Sequence, residues 1–157
     1  MKNNTAVSES AKARLYAFLL LKFRMRSQKE ICQRLKMKRF SPQAIKDTLD
    51  FLQAKGFIDD EAFAKAWFES RLSRLEGSNR IKAELRLKGV AKEIIDRAAE
   101  TLRDSFPESE ITLKLARDKF QRSKNIAPDI AKRRIYAYLL RRGFSPDAVN
   151  NAIEQLE

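Results

Sequence analysis

Eleven Lys and Arg residues stand in two groups: Lys22, Arg24, Arg26, Lys36, Lys38 and Arg39 near the start of the chain, and Lys132, Arg133, Arg134, Arg141 and Arg142 near its end. Fixed positive charge at that density binds polyanions, because each phosphate it neutralises releases condensed counterions. Covalent chemistry has far less to work with. The chain has no His, which removes Ser-His and Cys-His catalysis and His-ligated zinc; its one Cys, Cys32, allows neither an internal disulfide framework nor a Cys-rich metal cluster. Asp59 and Asp60 are adjacent carboxylates, but neighbouring positions on a helix point to different sides, and a helix-capping role accounts for them. The four glycines, Gly56, Gly77, Gly89 and Gly143, are isolated, so no phosphate-cradling loop is encoded. The sequence predicts a binding protein with no catalytic residues, no metal and no cofactor.

Lys and Arg outnumber Asp and Glu by 33 to 21, a net charge of +12. The excess is uneven, with 13 cations to 4 acids over residues 1–58, 10 to 11 over 59–108, and 10 to 6 over 109–157. Basic ends around a neutral middle point to nucleic acid, single- or double-stranded, as a partner. Part of the density serves local stability, since a cation in the last turn of a helix gains about 0.3 to 1 kcal/mol from the dipole. One or two cations meet that demand. The corresponding cations of the neutral middle, Lys82, Arg86 and Lys88, are expected to matter less for binding.

Positioning these charges falls to helices. Apolar residues make up 43% of the chain and charged residues 34%, with only four Gly and four Pro, a composition that suits ordered helices. The stretch "MKRFSPQAIKDTLDFL" at 37–52 returns as "RRGFSPDAVNNAIEQL" at 141–156, and "LKGVAKEIIDRAAETL" at 87–102 is a third copy. In the outer copies Ser41 and Ser145 are N-caps, with Pro42 and Pro146 at the first helical position, where a missing N–H costs nothing. Phe40 with Ile45, Phe144 with Val149 and Val90 with Ile95 are spaced as hydrophobic staples. Each copy is preceded by a shorter helix marked by an i, i+4 pair: Ile31 and Leu35, Ile81 and Leu85, Ile135 and Leu139. Ser27 and Glu30 form a capping box at the first of these, and Gly56, Gly89 and Gly143 have the placement of helix C-caps.

Further upstream, residues 10–25, 60–75 and 110–123 carry a longer helical pattern whose apolar residues are Leu15, Phe18, Leu19, Phe63, Trp67, Leu113 and Phe120. Asp59 caps the middle one, with Ile58 and Phe63 as its staple. The expected fold is all-α: three tandem three-helix repeats in an elongated body that can curve. A flexible segment over 1–10 precedes units over 11–57, 58–106 and 107–157. The third helices open "SPQAIKD", "AKEIIDR" and "SPDAVNN", placing acids where a base-reading helix presents Arg, Asn or Gln, so sequence-specific duplex reading is disfavoured. The apolar patch "LYAFLLL" at 15–21 is too short to span a membrane. A monomer in a reducing, cytoplasmic compartment is expected.

The middle of the chain resembles the RecX family of regulators of the RecA recombinase. "GFIDDEAFAKAWFESR" at 56–71, Gly77, Arg80-Ile81 and "ELRLKGV" at 84–90 are similar, in order and nearly in spacing, to the family's Leu-Asp-Asp, Phe-Ala, Arg, Gly, Arg-Ile, Glu-Leu and Lys-Gly-Val pattern. "RMRS" at 24–27 and "YLLRRGF" at 138–144 extend the resemblance across nearly the whole chain from about residue 11. Ile58 stands where Leu is commoner, Lys22 and Phe23 fill a stretch that usually begins with a small residue, and Leu75-Glu76 precede Gly77 where polar or basic residues are usual. The resemblance implies three tandem three-helix units and a non-catalytic role in homologous recombination, DNA repair and the SOS response. Family members bind the RecA nucleoprotein filament in its helical groove, limit its extension or promote its disassembly, restrain ATP hydrolysis and strand exchange, and bind DNA. The two cation groups are the site residues expected to contact DNA or filament, a choice resting on their charge and placement. The competing reading is a general nucleic-acid-binding protein that acts by competing for DNA.

Overall fold

The structure, a computed structural model, describes residues 8–157, and these form nine α-helices. The first unit holds α1 (Glu9–Phe23), α2 (Gln28–Met37) and α3 (Pro42–Ala54). The second holds α4 (Asp60–Leu72), α5 (Ser78–Leu87) and α6 (Lys92–Leu102), and the third α7 (Glu108–Gln121), α8 (Pro128–Arg141) and α9 (Pro146–Glu154). Within every unit the first helix packs along the third and the second crosses both, while extensive helix packing between units is absent among the described residues. Three separate hydrophobic cores result.

The repeat register places equivalent residues in equivalent surroundings. Ile31, Ile81 and Ile135, and likewise Leu35, Leu85 and Leu139, are all buried, none more than 3% exposed. Ser41 and Ser145 accept from the Ala44 and Ala148 backbone N–H groups, with Pro42 and Pro146 opening their helices. Ser27 and Glu30 form the full capping box, and Asp59 accepts from Glu61 and Ala62 N–H at 2.9 and 3.1 Å. Trp67 lies half-buried against the second core, its indole N–H donating to Glu84 at 2.9 Å.

The first helices depart from the sequence reading. Leu15 and Leu19 are 63% and 59% exposed, and α1 turns Ala13, Ala17 and Leu20 to the core instead. Ala64 and Ala116 are wholly buried in α4 and α7. A small side chain lets the first helix approach the third closely, so at this crossing size outweighs hydrophobicity. Leu113 and Phe120 are only partly buried, and Thr112, whose hydroxyl donates to the Glu108 carbonyl at 2.6 Å, is wholly buried in their place. Ile58 does not share a core with Phe63: it closes the first core, while Phe63 opens the second. Glu9 and Ser10, expected in a flexible segment, belong to α1, whose N-cap is Ser8; residues 1–7 of that expected segment lie outside the described residues.

Candidate nucleic-acid interface

The units are joined through helix ends, and the same joint is made twice. At the start of α2, the Ser27 hydroxyl donates to the Lys88 carbonyl at 2.6 Å and Gln28 N–H donates to the Asp60 carboxylate at 2.9 Å. One unit further on, Gly77 and Asn79 N–H donate to the Arg142 and Gly143 carbonyls at 2.8 and 3.0 Å, and Ser78 N–H donates to the Glu108 carboxylate at 3.4 Å. The unpaired N–H groups and positive dipole end of one second helix thus meet the carbonyls ending the next second helix and a carboxylate opening the next first helix. Asp60, which the sequence reading accounted for by helix capping alone, serves this joint; burial, with Asp59 adding to it, raises its pKa, and the Gln28 N–H opposes the shift.

Contact at the joints is close enough to dictate glycine. A Cβ on Gly89 (φ +76°) would lie 2.1 Å from the Lys29 side chain, and one on Gly143 (φ +91°) 2.3 Å from Arg80 Cβ and 2.6 Å from its backbone nitrogen. The equivalent turn of the first unit has no unit docked against it, and there Arg39 holds the left-handed conformation at φ +62°. The conformation costs a non-glycine residue roughly 1–2 kcal/mol.

Several predicted cations are spent on this framework. Arg142 donates to the Leu75 carbonyl at 3.0 Å and to that of Arg74, clamping the α4–α5 turn to the third unit. Arg24 pairs with Glu30 at 2.9 Å, and Lys88 reaches the same carboxylate from the second unit at 3.0 Å. Burial alone would raise the Glu30 pKa, but hydrogen bonds from Arg24, Ser27 N–H and Lys88 outweigh it and hold the carboxyl at about 2. Arg26 turns its Nε to the Leu20 carbonyl at 3.4 Å; partial burial first, then Arg24 nearby, lower its pKa. Lys82 sits 3.9 Å from Asp96. Since Lys82 and Lys88 make these internal contacts, the middle triplet is no neutral control for Lys36, Lys38 and Arg39.

The remaining predicted cations stay available. Lys22, Lys36, Lys38 and Arg39 are exposed, Lys38 lying over the Tyr16 ring at 5.3 Å. The structure does not gather this group: Lys22, Arg24 and Arg26 precede α2 and the other three end it, a helix length of about 15 Å apart. In α8, Arg133, Arg134 and Arg141 are exposed, with Arg134 and Arg141 two turns apart on one side, whereas Lys132 is half-buried. Of the eleven ion pairs among the described residues, eight lie wholly within residues 59–108. Among the described residues none involves the third unit, whose ten cations over 109–157 have no carboxylate within 4.0 Å. Sequence reasoning passed over Arg34, Lys114 and Arg117, exposed and likewise without an ion pair. For Arg117 the signal was present, since no acid stands three or four residues to either side.

A row of helical triplets, jointed end to end and carrying its uncompensated charge away from the middle, defines a small array-type binding protein. Residues 13–52, 59–98 and 108–153 match, in order, the first, second and third three-helix domains of RecX. The chain is 34% identical over 152 residues to the regulatory protein RecX of Chlorobium phaeobacteroides, covering 96% of this chain and 97% of that one. With the RecX of Pasteurella multocida it shares 34% identity over 139 residues, 88% of this chain and 84% of the other. The crystal structure of RecX from Lactobacillus salivarius superposes with a TM-score of 0.84 at 23% identity, covering 94% of this chain and 96% of that one. The chain belongs to the RecX family and is a non-enzymatic regulatory protein. No helix among the described residues is long and apolar enough to cross a membrane.

Proposed function

We propose that this chain regulates the RecA recombinase, mainly by inhibition, binding the RecA–DNA filament in its helical groove and restraining ATP hydrolysis and strand exchange. One observation carries the reading beyond family membership: the third unit keeps its ten cations clear of carboxylates, while seven of the middle unit's ten are in ion pairs, Lys65, Arg74 and Arg86 being the exceptions. Charge left without an internal partner is available to phosphate. Arg133, Arg134 and Arg141 are the first choice for DNA contact, and Lys36, Lys38 and Arg39, at the other end of the array, are the second. Arg24 and Arg142 serve the joints, and Arg26 serves the α1–α2 turn. An array of units suits a helical groove, because successive units can follow it and meet successive protomers.

The test is DNA-dependent ATP hydrolysis by the cognate recombinase, with DNA in large excess over this protein. Inhibition well before the DNA is covered is the expected result. Inhibition only at DNA saturation would favour the competing reading, simple competition for DNA.

A further inference from the structure

The exposed side of α1 is apolar where solvent would favour polar residues. Leu15, Leu19 and Phe23, at i, i+4 and i+8, are 63%, 59% and 82% exposed, and Met25, just beyond the helix, is 50% exposed. They form a ridge about 12 Å long, while the opposite side of α1 holds Ala13, Ala17 and Leu20 in the first core. Scattered exposed apolar residues need no explanation, but three large ones aligned on one helix face mark an interaction surface. Lys12 and Lys22 stand on the same exposed side, neither paired with an acid among the described residues. The one acid of α1, Glu9, is turned away, accepting from the Ser41 N–H and hydroxyl at 2.8 and 2.7 Å.

We infer that this face docks a protein whose own surface is an apolar patch rimmed by carboxylates. Phosphates alone would leave the ridge in water, whereas an apolar patch buries it and Asp or Glu side chains meet the two lysines. A second copy of this chain fits poorly: a two-fold contact through this face would oppose lysine to lysine on chains each carrying a net charge of +12. The ridge lies in the first unit and the free arginines of α8 in the third, so protein and DNA contacts would fall on different units of the array. The inference rests on the filament reading, in which the docked protein is the recombinase, and it assigns recombinase contact to α1 and DNA contact to the free arginines of α8.

The experiment compares wild type with a Leu15→Ser/Leu19→Ser/Phe23→Ser variant, whose substitutions are exposed and leave charge unchanged. Measured are affinity for purified recombinase, free and assembled on single-stranded DNA, affinity for single-stranded DNA, thermal melting, sedimentation, and binding to anionic phospholipid vesicles. The expected result is a loss of at least about tenfold in recombinase affinity, with DNA affinity and melting unchanged. Recombinase binding equal to wild type overturns the docking face and leaves the filament reading standing. A wild type that binds the recombinase neither free nor assembled on single-stranded DNA overturns both. A wild-type dimer that the variant dissociates, or vesicle binding lost while recombinase binding persists, overturns it in favour of a second copy or a membrane surface.

Discussion

The second and third units share a helical plan and carry ten cations each over 59–108 and 109–157, yet they use them oppositely. In the second, Arg71 and Arg80 converge on Glu76 and Glu84, Lys82 and Lys92 approach Asp96, Arg97 pairs with Glu61 and Arg103 with Glu100. In the third, Lys119 lies over the Tyr138 ring at 3.8 Å, Arg142 clamps a neighbouring turn, and the exposed arginines of α8 meet no acid. The surface pairs of the second unit are worth little individually, about 0 to 1 kcal/mol. Their consequence is electrostatic silence: the unit shows little net field to a polyanion. One scaffold therefore carries mostly paired charge in one unit and unpaired charge in the next.

The joints on either side of the second unit allow that division to be tested separately from binding. The largest effect is expected at Gly143, where an added Cβ meets both the left-handed backbone and the body of Arg80. Gly143→Ala should cost about 3 kcal/mol and lower the melting temperature by roughly 6–12 °C. Gly56, at φ +72° with nothing within 4 Å, isolates the backbone contribution, and Gly56→Ala should cost only about 1–2 kcal/mol. Equal losses would mean that the second and third units are not in contact as described.

At the other joint, Glu30→Gln should destabilise by about 2 kcal/mol, because Arg24 and Lys88 lose a shared carboxylate. The folded Glu30 titrates at about 2, below the ordinary 4.5, so its contribution is complete above pH 4.5 and disappears as the pH falls toward 2. Melting curves of wild type and variant should converge over that window; a gap that persists at its acid end would remove the charge from the explanation. A smaller effect of opposite sign is expected at the free end of the array. Arg39→Gly should stabilise by about 1 kcal/mol and at the same time weaken DNA binding. Stabilisation without loss of binding would leave Arg39 as a strained turn residue only.

Much of this fold is legible in the sequence because its caps and core pairs are local. Ser41-Pro42, the Ser27–Glu30 box and the Ile-Leu pairs at i, i+4 each declare themselves within a few residues. The core face of α1 does not, because alanines make it and hydrophobicity alone favours Leu15 and Leu19. The roles of Asp60, Arg142 and Lys88 were hidden for another reason: their partners lie 32, 67 and 58 residues away, at contacts between units. Which cations are free is the difference between charge composition and ion-pair geometry. Local spacing settles it only where no acid is near, as around Arg134 and Arg141.

The central claim is that free charge in the third unit, rather than total charge, engages DNA. Its most direct test reverses three exposed cations in each unit, Arg133, Arg134 and Arg141 to Glu in one protein and Lys92, Arg97 and Arg103 to Glu in another. The change in net charge is the same, and the dependence of binding to single-stranded DNA on salt is measured for both. Each lost phosphate contact lowers the slope by about 0.7 on single strands, so the third-unit variant should lose about 2 in slope and the second-unit variant should keep the wild-type value. Equal losses from the two variants would contradict the claim.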